Sequence, residues 1–351
     1  MRRAFWTGLA GLCLAVLGAP ASAQTRLFSD DTPIAFTLTA PFGKLVRAAR
    51  SGTDAFPATL ALTSPSGAGA PIPLQLSPRG LTRRTGGYCL FPPLKLDFET
   101  AGVQGTVFQG QNKLKLVTHC KPAPSYEQLY VQEYLIYRLY NLLTPISFRV
   151  RPARVTYHDG DGQRDDVTRF GFLIEPIDAM ARRNGLTALD PTATLVPSAQ
   201  LDPRTMETMA LFEFMIGNLD WDPASGPPGE PCCHNVKLLI RQGGAAGNIP
   251  VPYDFDFSGL VDAPYAVPPD NIRVPNVRVR AFRGYCRNND QLPAAVATFR
   301  EHRAAMAAVI AGEALLTPAN RQGAQAYIDD FFAVLDDPQR LDREITRRCR
   351  G

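Results

Sequence analysis

Residues 212–259 read F-E-F-M-I-G-N-L-D-W-D to Asp222, a Pro- and Gly-rich interruption, C-C-H-N-V-K-L-L-I from Cys232, then V-P-Y-D-F-D-F-S-G from Val251. Asn218, Asp220, Asp222, Asn235, Asp254 and Asp256 stand at the edges of apolar runs, where a side chain can leave a core and reach a cleft. Asp254 and Asp256 alternate with Tyr253, Phe255 and Phe257, so on a strand both carboxylates share one face. Like charges so placed repel, and a bound cation relieves the repulsion. Magnesium takes hard oxygen ligands, commonly one or two carboxylates with an amide oxygen, and leaves positions for phosphate and water. Asn235, Asp254 and Asp256 are therefore the candidate ligands for Mg or Mn. Asp220 is the candidate to orient or deprotonate an incoming hydroxyl.

Upstream, I-A-F-T-L-T from Ile34, T-L-A-L-T from Thr59 and I-P-L-Q-L from Ile72 are short β-type runs separated by Pro, Gly and Ser turns. They predict an antiparallel sheet. The cationic turn R-G-L-T-R-R-T-G-G, from Arg79 to Gly87, reads either as a cover over phosphates or as a solvated hairpin loop. In N-K-L-K-L-V, Leu114 and Leu116 point one way while Lys113, Lys115 and Val117 point the other. Lys115 is the first candidate to hold phosphates, with Lys113 and Lys95 as alternatives; each reads equally as a lysine facing water. A helix is expected from Ser125 to Leu143, opening on a Ser125/Gln128 capping box and ending before Pro145. Strands follow at Phe148–Tyr157 and Phe170–Ile174, joined by an acidic hairpin tip that lacks the closing glutamate of a calcium loop.

Beyond Ile177 the pattern turns helical, at 179–185, 203–217, 294–313, 319–335 and 338–348. His234 reads as a structural histidine, and no G-x-S-x-G or H-E-x-x-H occurs.

In order along the chain, R-G at Arg79, P-L-K-L-D-F from Pro93, K-L-K-L-V from Lys113, the 126–143 helix, F-G-F-L-I-E-P-I-D from Phe170, N-L-D-W-D, H-N-V-K-L-L and P-Y-D-F-D-F-S-G form a set. Together they resemble the catalytic core of CotH-type atypical protein kinases and, more distantly, HipA-like kinases. The resemblance covers roughly Thr37 to Pro264 and departs from classical kinases in lacking H-R-D and a true D-F-G. It implies an α+β, two-lobed fold: an antiparallel β-rich lobe with one long helix over 24–177, and a mainly helical lobe over 178–351 carrying the site. It also implies that Glu133 fixes Lys115, that Arg79 and Gly80 cover a nucleotide, and that Glu175 lies where backbone groups face adenine. The activity it implies is transfer of a phosphoryl group from ATP or another nucleoside triphosphate to a protein hydroxyl. A nucleotide- and metal-binding pseudokinase and a metal-dependent phosphoester hydrolase are the alternatives.

Met1 to Ala23 reads as a signal peptide, with Arg2 and Arg3, an apolar run and A-S-A before Gln24. The expected product is periplasmic or secreted and has no membrane span. The net charge of +4 falls to +2 when Arg2 and Arg3 leave, too small a bias to argue for nucleic acid. Removing Cys13 leaves Cys89, Cys120, Cys232, Cys233, Cys286 and Cys349, an even set suited to disulfides. Cys89–Cys120 is the preferred pair, and Cys232 and Cys233 are expected to reach Cys286 and Cys349. Zinc held by Cys232, Cys233 and His234 is the rival, since consecutive ligands fit a tetrahedral ion poorly.

Overall fold

The computed structural model describes Met1 and residues 26–64, 67–85, 87–241, 243 and 247–351; the signal peptide and Cys13 lie outside the described residues. In chain order the elements are β1 (Ile34–Ala40), α1 (Phe42–Ala48), β2 (Phe56–Ser64), β3 (Gly67–Ala68), β4 (Ile72–Pro78), α2 (Thr82–Thr85), β5 (Leu94–Phe98), β6 (Lys113–Val117) and α3 (Pro124–Leu143). Then come β7 (Val150–Asp159), β8 (Val167–Ile174), α4 (Ile177–Arg183), β9 (Leu186–Leu189), α5 (Pro203–Ile216), β10 (Val236–Arg241), β11 (Ile249–Pro252), α6 (Leu292–Gly312), α7 (Pro318–Asp336) and α8 (Pro338–Glu344).

Seven strands close on themselves in the order β1-β7-β8-β6-β5-β4-β2, with β2 returning to β1. This mixed barrel, with helices on its C-terminal side, corrects the expected two-lobed kinase-like fold with an open antiparallel lobe. The closing strand decides the difference. β1 pairs antiparallel with β2, Phe36 opposite Leu62, and parallel with β7, Phe36 opposite Val155. Periodicity predicts that β1 is a strand but carries no signal for a parallel partner more than a hundred residues away. Closure leaves neither edge of the seven-strand ring unpaired.

Alternation along each strand separates two cores. Leu38, Leu60, Leu94, Leu96, Leu114, Leu116 and Leu173 fill the barrel. On the other face of the same strands Val117, Val150, Phe170, Phe172 and Ile174 join α3, α5, α6 and α7 in a second core. α3 is consequently covered by the barrel on one side and by helices on the other. Its predicted capping box does not form: Ala123 occupies the N-cap position with Pro124 behind it, and Gln128 instead reaches Leu315 O and Thr317 N.

Cys89–Cys120 forms as expected. The other pairing is corrected: Cys286 joins Cys349, and the neighbours Cys232 and Cys233 join each other. Cys286 and Cys349 are brought together by the bridge between Tyr285 and Arg350 that ties the chain's end back to the η-turn before α6, a contact with no local sequence signal. Three disulfides suit an oxidising compartment. Among the described residues no helix is long and apolar enough to cross a membrane.

Candidate functional site

A cleft of about 470 Å³ is lined on one side by Arg79, Gly80 and Arg83, between β4 and β5, and on the other by Asp220, His234, Asn235, Lys237, Asp254 and Asp256. Two glycines make the acidic side. Gly217 ends α5 in the left-handed conformation at φ 67°, and Gly259 N donates to Gly217 O at 3.0 Å. A Cβ on Gly259 would lie 2.4 Å from Val277 O and 2.5 Å from the Tyr327 hydroxyl, and one on Gly217 2.1 Å from that hydroxyl, so the packing around this contact requires glycine at both positions. Their contact sets the turn carrying Asn218 and Asp220 beside the loop carrying Asp254 and Asp256.

That loop corrects one expectation. β11 ends at Pro252, and Asp254 and Asp256 lie beyond it rather than on a common strand face. Asp254 has φ 67° and Asn235 φ 50°, the left-handed region that costs a non-glycine residue energy. Both are held there by specific bonds. Asp254 N donates to the hydroxyl of Tyr137 on α3 at 3.0 Å, and Tyr137 packs edge-on against Phe255. Asn235 Nδ2 donates to Asp220 O at 2.7 Å and to Asp220 Oδ2 at 3.0 Å, which turns the amide oxygen away as the remaining ligand atom. His234 Nε2 donates to Asp220 Oδ1 at 2.7 Å. That bond raises the histidine's pKa above its usual value. Asp222, by contrast, caps its own turn, accepting from Ala224 N and Ser225 N, and pairs with Arg350 at 3.1 Å.

The buried charges at the back of the cleft are only partly matched. Glu133 on α3 is fully buried, and its Oε2 has no hydrogen-bond partner. Burial first, and then Asp256 and Asp254, hold its carboxyl well above the usual range. Asp256 is raised for the same reasons, burial and the neighbouring Asp254, although Tyr265 Oη donates to it at 3.1 Å. Arg83 donates to Thr118 O at 2.7 Å, but its Nε and that of Arg79 are unpartnered. Lys115 extends outward from β6, as the alternation predicts, with Nζ 4.4 Å from the centre of the Tyr253 ring. Desolvation, with Arg79 and Lys237 nearby, pushes it down to about 7.

Asp220, Asn235, Asp254, Asp256, Arg79 and Gly80 thus line one cleft, with Lys115 against its Tyr253 wall. The expected Lys115–Glu133 pair does not form, because Glu133 faces Asp254, Asp256, Arg79 and Arg83 instead. Lys113 is exposed two residues earlier on β6, and Lys95 pairs with Asp97 at 3.5 Å. Glu175 is occupied elsewhere: its N donates to Arg149 O at 2.9 Å, and its carboxylate binds Arg183 at 3.0 Å. The 79–87 turn holds the short helix α2 and is pinned by Arg83 and Arg84, while Gly80, Leu81 and Thr82 stay exposed. Arg83, Lys237 and Tyr137 were not singled out from sequence. Lys237, two positions after Asn235 on β10, shares its cleft-facing parity, but Arg83 and Tyr137 carry no such signal.

Among the described residues no three His, Cys, Asp or Glu side chains gather closely enough to hold a metal ion. Two carboxylates and the Asn235 amide are what the cleft offers. Hard oxygen donors in that number suit a cation that takes its remaining ligands from phosphate and water. Compared with known protein families and with curated proteins, the chain matches none.

Proposed function

We propose that the cleft binds a divalent cation together with a nucleoside triphosphate such as ATP and transfers a phosphoryl group to a protein hydroxyl, in a periplasmic or secreted protein. One observation carries the reading: Asp256, Glu133 and Arg83 are buried, and Asp254, Arg79, Lys115 and Lys237 half-buried, beside one another without pairing directly. Burying an uncompensated charge costs several kcal/mol. A ligand bearing both signs, a metal with a polyphosphate, satisfies Asp254 and Asp256 through its cation and Arg79, Arg83, Lys115 and Lys237 through its phosphates. Phosphoryl transfer depends on such positioning and charge, and the site rather than the fold carries it.

Asn235, Asp254 and Asp256 would hold Mg or Mn, which when bound neutralises charge on the phosphate oxygens. Asp220, oriented by His234 and Asn235, accepts the proton of the acceptor hydroxyl. Lys115 and Arg79 hold phosphate oxygens. Gly80, at φ 70°, lets the backbone turn over them.

Transfer from labelled ATP in the presence of Mn²⁺ tests this. Asp220→Asn is expected to lower the rate by roughly a hundredfold or more, the usual worth of a positioned base. Asp254→Ala is expected to abolish the cation-dependent rise in melting temperature produced by ATP. Equal transfer by wild type and both variants would sink the proposal. A second reading, binding without turnover, is favoured by the engagement of both Asp220 oxygens; a cation-dependent thermal shift with no transfer would establish it. Phosphate release without any acceptor would instead indicate a hydrolase.

A further inference from the structure

Beside the cleft runs a second groove, of about 300 Å³, between the end of α1 and the segment after α2, lined by Val46, Ala49, Arg50, Arg83, Arg84 and Leu90 among others. Arg83 lines both openings, so the groove adjoins the cleft through one guanidinium. Among the described residues no acidic side chain lines it. Arg83 donates to Thr118 O, and Arg84 to Ala49 O at 2.7 Å and Gly52 O at 3.0 Å. Those carbonyls satisfy geometry but do not cancel charge. Arg83 is buried and faces Asp256 and Glu133 of the cleft, so among the described residues Arg50 and Arg84 are the guanidinia of the groove without a carboxylate partner. The same stretch exposes large apolar side chains: Leu81 at 67%, Tyr88 at 47% and Leu90 at 57%. Such side chains on a mobile loop would be unremarkable. Here they are presented rigidly, because Cys89 is bonded to Cys120 and Leu90 N donates to Cys120 O at 2.8 Å.

We propose that this groove docks an acidic, apolar-bearing segment of the acceptor polypeptide, delivering its hydroxyl to Asp220 in the adjoining cleft. The proposal rests on the phosphotransfer reading for the identity of the cleft, though the docking itself can be measured without it. Charge complementarity selects the partner. Arg50 and Arg84 attract carboxylates and steer their approach, while Leu81, Tyr88 and Leu90 supply the apolar anchors that set the lifetime of a complex. A small metabolite would bury the cleft alone and leave these side chains in water.

The test uses the full disulfide-bonded chain and short fluorescent peptides containing one serine flanked by Glu and Leu, with matched peptides in which Lys replaces Glu or Gly replaces Leu. Anisotropy is expected to show saturable binding of the Glu/Leu peptide and weaker binding of both controls. Arg50→Glu and Leu90→Asp are each expected to weaken it about tenfold, the scale of losing one charged or apolar anchor. Retained Mn²⁺–ATP thermal shifts in both variants would confirm that the cleft is intact. Absent peptide binding, equal binding of the Glu and Lys peptides, or variants that bind as wild type would overturn the proposal. So would vesicles containing phosphatidylglycerol that bind in place of the peptides. If wild type gives no Mn²⁺–ATP shift, the reading of the cleft fails, while the peptide result still decides the docking.

Discussion

The barrel interior and the helical core behind the cleft both enclose side chains fully, and they differ in what they enclose. Leu38, Leu60, Leu94, Leu96 and Leu116 are wholly enclosed in the barrel, each apolar and each placed by strand alternation. On the other face of the same sheet, and in the helices behind it, Glu133, Glu207, Glu213 and Asp256 are as deeply enclosed. Glu133 is missing a partner for one oxygen, and Glu207 and Glu213 for both. Apolar burial lowers the free energy of folding by about 25 cal/mol per Å². An enclosed carboxyl without a partner raises it by a kcal/mol or more. Both regions carry apolar stability, and the second also retains groups that stability alone would remove.

Removing a barrel side chain gives the largest expected effect. Phe108 is fully enclosed, with its ring 5.3 Å from Phe98 and 6.2 Å from Phe36. Phe108→Ala is expected to lower stability by about 4 kcal/mol, read from the shift in denaturant midpoint at constant slope. A loss under about 1 kcal/mol would mean that the barrel interior is not a tightly packed core.

The opposite sign is expected at Glu207. Burial raises its carboxyl to about 8, above the roughly 4.3 of an unfolded chain. Below roughly pH 4 the group is neutral in both states and costs no ionisation energy. As the pH rises toward 8 the unfolded chain releases the proton first, so the wild type loses stability across that window. Glu207→Gln removes this dependence. Its advantage should grow from near zero at acidic pH to on the order of 3 kcal/mol above pH 8. Parallel melting curves for the two proteins across this range would contradict it.

A smaller effect is expected at Tyr137→Phe, which keeps the ring and removes the oxygen that accepts from Asp254 N. The loss should be about 1 kcal/mol. It should be accompanied by weaker Mn²⁺-dependent binding of ATP, because Asp254 then relaxes from its left-handed conformation. Weakened cation binding with little change in melting temperature would locate the effect in the cleft; a melting shift alone would place Tyr137 with the apolar core.

Much of the site was legible because its residues announce themselves locally. Asp220, Asn235, Asp254 and Asp256 were named from their positions at the edges of apolar runs, and they line one cleft. Lys115 was placed by alternation, with Leu114 and Leu116 turned into the barrel. Errors came where a residue's role depends on what approaches from far away in sequence. Glu133 was expected beside Lys115 but meets Asp254 and Asp256, because α3 is clamped to the later loop by Tyr137 and by Gln132, whose Nε2 donates to Leu260 O at 2.7 Å. Glu175 was expected at a nucleotide but is bound by Arg183, eight residues on. Arg83, central to both the cleft and the groove, looked like one arginine among three in a turn.

By itself the sequence determined not α1, α2, β3 or β9 but most barrel strands, the long helices, the facing of Lys115 and the acidic residues of the cleft. These follow from periodicity and from the cost of burying charge, both of which act over a few residues. Only the tertiary structure decided that β1 closes a barrel by pairing with β7, that Cys286 meets Cys349, and that Glu133 and Arg83 face the aspartates. Each of these depends on which distant segments pack together, and the free energy that selects the arrangement is spread over the whole core rather than written in any one stretch.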